Sequence, residues 1–212
     1  MNDIKHAFKT IEKTFALWWS DWVNQVVVSM AAVLCSLTLV LAPASLMGIM
    51  HELNDLSNGT RTGIAGWWKG FKLNFVRSLV WGAVTLVVFA ILIFNAWFYY
   101  TLETSWAPIL LGLCLLLIFV WFLVNFYTLG YLFLQEEKSL RLAWKNSILT
   151  ILGAPFFNLV IGFFLLAMTI LSMGLFLPLL LGTPSLLALL SILAVRNRLE
   201  VYGKIAPLPE DN

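Results

Sequence analysis

The chain has 212 residues, of which 61% are apolar, 15% aromatic and only 11% charged, with a mean hydropathy of +0.90. A soluble domain carries about 25% charged residues, and a net charge of +2 without a basic stripe offers nothing to neutralise a phosphate backbone. An ordinary soluble enzyme, a disordered chain and a nucleic-acid binder are excluded, and the composition is that of a membrane protein.

In chain order, residues 1–22 come first. Ile4, Phe8, Ile11, Phe15 and Trp18 recur at spacings of three and four, with Lys5, Lys9 and Lys13 on another stripe. This predicts an amphipathic helix lying along the membrane surface. Four tracts without Asp, Glu, Lys or Arg follow, at residues 22–51, 78–102, 104–135 and 146–195. A helix needs roughly 20 residues to cross about 30 Å of hydrocarbon, so the first three hold one span each. The last would be roughly 75 Å long as one helix and holds two, with the turn expected at Ser172-Met173-Gly174. Runs such as Leu113-Cys114-Leu115-Leu116-Leu117 lack the period-two alternation of a barrel strand.

The expected fold is an all-α, polytopic membrane helix bundle of about five transmembrane helices, near residues 23–50, 78–100, 107–134, 147–171 and 175–195, with amphipathic interfacial helices. The transmembrane domain covers 23–196, with cytoplasmic loops 51–77 and 135–146 and a cytoplasmic tail 197–212. Orientation follows from Arg61, Lys69, Lys72 and Arg77 in the first loop, Lys138, Arg141 and Lys145 in the third, and Arg196, Arg198 and Lys204 in the tail. All of these share the cytoplasmic side if there are five spans, which places the C-terminus there. Lys5, Lys9 and Lys13 then face outward. A bend near Pro43 that returned residues 22–50 as a re-entrant hairpin would bring them inside too; the favoured expectation is the single crossing.

Outside the spans, Ser57-Asn58-Gly59-Thr60 is the clearest turn. After it, Trp67, Trp68, Phe71 and Phe75 interleave with Lys69, Lys72 and Arg77, as in an interfacial helix. In the loop 135–146, Glu137 and Arg141 stand at i and i+4, followed by Trp144 and Lys145. Together Trp67, Trp68, Lys69, Phe71, Lys72, Arg77, Glu137, Arg141, Trp144 and Lys145 are the candidate surface for lipid or a protein partner, and lipid is the blander choice.

Chemistry is sparse. His51-Glu52-Leu53-Asn54-Asp55 lacks the second His of a zinc-protease helix, and the other histidine, His6, lies far away in sequence. No Gly-x-Ser-x-Gly and no phosphate-cradling loop is present. Cys35 and Cys114 both fall inside predicted spans, which removes a disulfide framework. No cofactor, metal or enzymatic activity is expected. With no charge inside the spans, a proton-coupled pump or ion channel is disfavoured. Asn95, Asn125 and Asn158 are the candidate lining of a neutral-solute path, set against their more usual role as bonds between helices.

Several segments resemble one known family. Cys35-Ser36-Leu37-Thr38 through Ala42-Pro43-Ala44-Ser45-Leu46, Phe71-Lys72-Leu73-Asn74-Phe75, and Arg77-Ser78-Leu79-Val80-Trp81-Gly82 are similar to the YesL family of bacterial multipass membrane proteins. Lys145-Asn146-Ser147 resembles its Lys-Asn-Ala stretch, while Thr38 stands where the family commonly has Pro and Ala42 where it has Gly. The resemblance implies a bacterial cytoplasmic membrane protein of unknown biochemical activity, linked to carbohydrate ABC importers and polysaccharide utilisation. The function expected is therefore a non-enzymatic accessory or interaction protein, with an importer permease or membrane sensor as partner. The alternative is a small oligomeric carrier or channel for a neutral solute such as a sugar.

Overall fold

The computed structural model describes residues 2–175 and 177–205. The end of the expected cytoplasmic tail, 206–212, lies outside the described residues. Those described are all-helical: α1 (Asn2–Trp19), α2 (Trp22–Ser36), α3 (Ala42–Ser57), α4 (Gly63–Leu73), α5 (Phe75–Thr101), α6 (Ala107–Leu134), α7 (Leu140–Gly153), α8 (Pro155–Leu175), α9 (Leu177–Leu181) and α10 (Thr183–Val201). Three of them, α5, α6 and α8, are long and apolar enough to cross a membrane. The chain is an all-α membrane protein.

The long spans follow directly from composition. Helix α5 keeps large apolar side chains exposed along its length, from Val76 and Val80 to Phe94 and Trp97. It turns at 102–106 into α6, where Pro108 sits in the first turn, a position whose N–H is unsatisfied in any helix. Thr85 Oγ1 donates to Asn125 Oδ1 at 2.7 Å and ties the two together.

Tract 22–51 departs from the expected single crossing. The helix ends at Ser36, the chain reverses over 37–41, and α3 runs back antiparallel to α2. Ser45 Oγ donates to the Ala32 carbonyl at 3.0 Å near the tip, and Gln25 Nε2 donates to Glu52 Oε1 at 3.1 Å near the open end. Pro43 in the first turn of α3 cannot continue α2, and buried Ala32 and Ala44 let the arms approach. Each arm has only 15 or 16 residues, about 22–24 Å, too short to cross alone.

Helix α1 is corrected in a second way. Its N-terminus meets the end of α10, where Arg198 NH1 lies 3.0 Å from Asp3 Oδ1, and its last turn meets the start of α10, where Trp18 Nε1 donates to Ser185 Oγ at 2.8 Å. It therefore runs antiparallel along α10 as a member of the bundle. The face it buries is Ala7, Thr10 and Thr14, whose hydroxyls bond back to their own helix. Small residues permit close approach, and the bulky stripe expected to anchor the helix divides: Ile4, Phe8 and Phe15 are exposed, while Ile11 and Trp18 pack against the core.

The tract 146–195 also divides differently. Pro155 has no N–H to give, so α7 ends at Gly153 and α8 begins afresh. Asn158 Nδ2 donates to the Thr150, Ile151 and Ala154 carbonyls and caps the break. Helix α8 runs through the expected turn at 172–174 and ends at Leu175; the short α9 follows, and Gly182, whose φ of 139° favours glycine, stands between it and α10. Helix α10 is apolar on every side from Leu186 to Val195 and occupies the centre of the bundle. It packs on α6 where Gly130 has no side chain, so that Ser191 Oγ reaches the Phe126 carbonyl at 2.5 Å.

Helices α3 and α4 form the closest pair. A Cβ on Gly48 would stand 2.8 Å from the Trp67 carbonyl oxygen, and one on Gly70 would stand 2.3 Å from His51 Cβ. Asn74 then breaks α4 from α5 by bonding its side chain to the Gly70 carbonyl. Arg196 contacts Ser57 and Asn58, so the N-terminus of α1, the α3–α4 turn and the C-terminus of α10 all gather at one end.

Candidate functional site

Three groupings have chemistry to offer. At the open end of the α2–α3 hairpin, Gln25 and Glu52 are fully buried and Asp21 nearly so. Gln25 Nε2 donates both to Asp21 Oδ2 at 3.2 Å and to Glu52. One amide nitrogen thus bridges two carboxylates, while Asn24 Nδ2 donates to Asp21 Oδ1 at 2.9 Å. The nearest cation, Arg61, is exposed and 4.0 Å from Asp21. Burial pushes the Glu52 carboxyl from 4.5 up to about 7; the Gln25 bond opposes this and the charges of Asp21 and Asp55 add to it. Glu52 can gain or lose a proton near neutral pH.

His51 leaves α3 on another face. Its Nδ1 is 3.5 Å from Asp55 Oδ2 and its ring meets Phe133 edge-on at 6.5 Å. His51 and Glu52 do not converge, and the described residues contain no group of three His, Cys, Asp or Glu able to hold a metal.

Arg198 is the second grouping. It is 1% exposed, donates to Asp3 and Asn197, and lies 3.9 Å over the Phe157 ring. This is a closed, structural ion pair with an aromatic lid.

The third is a central cavity of ≈ 300 Å³, partly open, walled by α3, α5, α6, α8 and α10. Leu46, Trp81, Phe89, Phe122, Leu165 and Leu187 are among its walls, and Thr85, Asn125, Thr169 and Ser191 are its hydroxyl and amide members. Asn125 gives Nδ2 to the Trp121 carbonyl at 2.8 Å and accepts from Thr85. Trp81 is 7% exposed and its Nε1 has no partner among the described residues.

The candidate lining residues thus separate. Asn125 reaches the cavity, Asn158 caps α7, and Asn95 bonds the Ile91 carbonyl of its own helix on the exposed side of α5. Of the candidate contact surface, Trp67 and Phe71 are corrected to the interior: Trp67 Nε1 donates to the Ser45 carbonyl at 3.1 Å, and both rings close the α3–α4 pair. Trp68 is 49% exposed, with Lys72 5.1 Å over its ring, and Lys69 is exposed beside it. Arg77 is half-buried against Asn74 Oδ1 at 3.0 Å. Arg141 and Lys145 are exposed on α7 and Trp144 is partly buried. Glu137 lies in the bend before α7, outside the helix that an i,i+4 pair with Arg141 requires. His51 connects the two segments, since it faces Gly70 of α4 and Phe133, over which Lys138 sits at 5.6 Å.

Sequence reasoning misses Gln25 and Trp81, each of which reads alone as an ordinary residue in an apolar tract. The signal available for Gln25 is its placement one turn after Asp21, opposite Glu52 only if the tract folds back. Comparison with protein-family models, with curated proteins and with solved structures finds no match.

Proposed function

We propose that the chain is a non-enzymatic membrane accessory protein that binds a protein partner through the end of the bundle where α4 meets the loop before α7. In this reading α5, α6, α8 and the buried α10 cross the membrane, the α2–α3 hairpin enters and returns, and both chain ends lie on the cytoplasmic side. That arrangement eases the conflict posed by the N-terminal cations, because the start of α1, with Lys5, sits beside the end of α10 on the side of the loop cations.

The observation that carries the reading is the contrast between closed and open polar groups. Asp21 and Glu52 are bridged by Gln25, and Asp3 pairs with Arg198, inside the bundle. Trp68, Lys69, Lys72, Arg141 and Lys145 remain exposed, the α4 members joined to the loop before α7 through His51 and Phe133. Exposed aromatic and cationic side chains around a rigid helix pair suit a partner contact. The YesL-like segments direct the search for that partner to carbohydrate ABC importers and membrane sensors.

A carrier for a sugar has less support. Asn125 spends its amide on Trp121 and Thr85, which leaves few polar groups for the several hydroxyls of a sugar, and each hydroxyl left unpaired costs roughly 1–3 kcal/mol. The test is mild-detergent purification of a tagged copy from native membranes, with mass spectrometry of what co-purifies. A permease or sensor in stoichiometric amount, lost in Trp68→Ala/Lys72→Glu, is the expected result. Recovery of the chain alone, together with sugar uptake by the purified protein in liposomes, would overturn it.

A further inference from the structure

We propose that the central cavity holds one acyl chain of an anionic glycerophospholipid, with an ester carbonyl accepting from Trp81 Nε1 and the phosphate directed to Arg77. The walls come first. Five helices wall the partly open space, three of them the long apolar ones, and the surface facing it is almost wholly apolar. Its volume of ≈ 300 Å³ is that of a ligand pocket rather than of a packing defect. An apolar cavity does not retain water and accepts an apolar guest. In a bilayer the most abundant apolar guest is a lipid tail.

Trp81 gives the second observation. Its indole lines the cavity, its side chain is more than nine-tenths buried, and Nε1 finds no acceptor among the described residues. A buried N–H normally has one, so the wall carries a single unsatisfied donor. A lipid ester presents a carbonyl at the junction of its tail and head, the kind of acceptor this donor requires.

Arg77 gives the third. It lies four residues before Trp81, hence one turn away on the same face of α5 and toward the charged end of that helix. Its NH1 bonds Asn74, which leaves other N–H groups of the guanidinium for a phosphate oxygen. Lys69 and Lys72 are exposed on the adjoining helix and add positive charge where an anionic head would sit. The order of features along α4 and α5 is thus cationic, then donor, then apolar, matching head, ester and tail.

The inference does not rest on the accessory reading: the head would share Lys69 and Lys72 with the surface proposed there, while the cavity and Trp81 belong to this site alone. The probe is phosphatidylglycerol carrying a photoactivatable group in one tail, reconstituted with the full chain in nanodiscs, with phosphatidylethanolamine of the same tails and the free fatty acid as the other arms. Expected adducts fall on residues 81–89, 122–129 and 184–191, with phosphatidylglycerol labelled most. Trp81→Phe keeps the wall and removes the donor, and should lower the yield at these residues roughly fivefold, the value of one hydrogen bond. Arg77→Gln should erase the preference over phosphatidylethanolamine. Ala188→Phe fills the cavity and should abolish the adducts. Adducts spread evenly over the exposed faces of α5 and α8, unchanged by Trp81→Phe, would overturn the site. Equal labelling by all three probes would overturn the assignment of an anionic head.

Discussion

Two helical hairpins built from largely apolar sequence, α5–α6 and α2–α3, behave as opposites. The α5–α6 pair turns at 102–106 after a long arm and leaves bulky side chains such as Leu86, Ile93, Ile109 and Leu116 exposed. The α2–α3 pair turns after 15 residues, buries Glu52 and Gln25 at its open end, and packs so closely on α4 that Gly48 and Gly70 leave no space for a methyl group. The first is a hairpin of length and the second a hairpin of contact. Apolar tract length alone does not decide which forms; proline, hydroxyls and small residues do.

Changes at the closed end should cost most. Asp3→Ala leaves the buried Arg198 guanidinium with Asn197 as its remaining hydrogen-bond acceptor among the described residues. The loss should lie near the lower end of about 3–5 kcal/mol, because Asp3 is itself 37% exposed. Thermal unfolding in detergent reads it, and adding Arg198→Met should recover much of the loss.

Gly48→Ala comes next, since its Cβ would meet the Trp67 backbone oxygen at 2.8 Å. Overpacking of this kind costs about 1–3 kcal/mol. The same change at Gly112 on α6, with nothing within 4 Å, should be neutral or stabilising. Equal effects at the two glycines in the same unfolding assay would erase the distinction between the hairpins.

Glu52 gives a pH dependence. Its folded pKa of about 7 lies above the ordinary 4.5, so its contribution is fully present below about pH 4.5 and is lost as pH rises through about 7. Melting temperature should fall across that window. In Glu52→Gln this part of the slope should vanish, and the variant should be the more stable protein at pH 8. An unchanged slope would mean that Glu52 is ionised throughout.

The smallest effect belongs to the open hairpin. Thr85→Val removes the hydroxyl bond to Asn125 between α5 and α6. Bonds of this kind within membrane bundles average about 0.6 kcal/mol, a shift that replicate melts of the two proteins can resolve.

The long spans were legible in the sequence. The expected helix 107–134 coincides with α6, and 78–100 falls within α5, because uninterrupted apolar sequence leaves a helix no alternative in lipid. The turn at Asn58-Gly59 was legible too, with Gly59 at φ 84°. Tract 22–51 was not, because charge spacing measures how far a chain goes without charge and is blind to its direction. Pro43 marked the bend, yet the contacts that hold it, Ser45 to Ala32 and Gln25 to Glu52, exist only once the arms have met. Asn158, a candidate lining residue set against a bonding role between helices, takes a bonding role that is hidden for the same reason: it depends on the break at Pro155, a tertiary event. Trp67 and Phe71 suggest a surface because aromatics beside lysines suit an interface. The glycines of α4 turn that face inward instead.

The reversal of the first tract decides which side of the membrane the N-terminus occupies, and one experiment tests it. In a background with Cys35 and Cys114 replaced by serine, single cysteines at Lys5, Glu103 and Lys204 are labelled by a membrane-impermeant thiol reagent in right-side-out and inverted vesicles. The account predicts that Lys5→Cys and Lys204→Cys react from the same side and Glu103→Cys from the other. Reaction of Lys5→Cys together with Glu103→Cys, opposite Lys204→Cys, would contradict the hairpin and restore a single crossing.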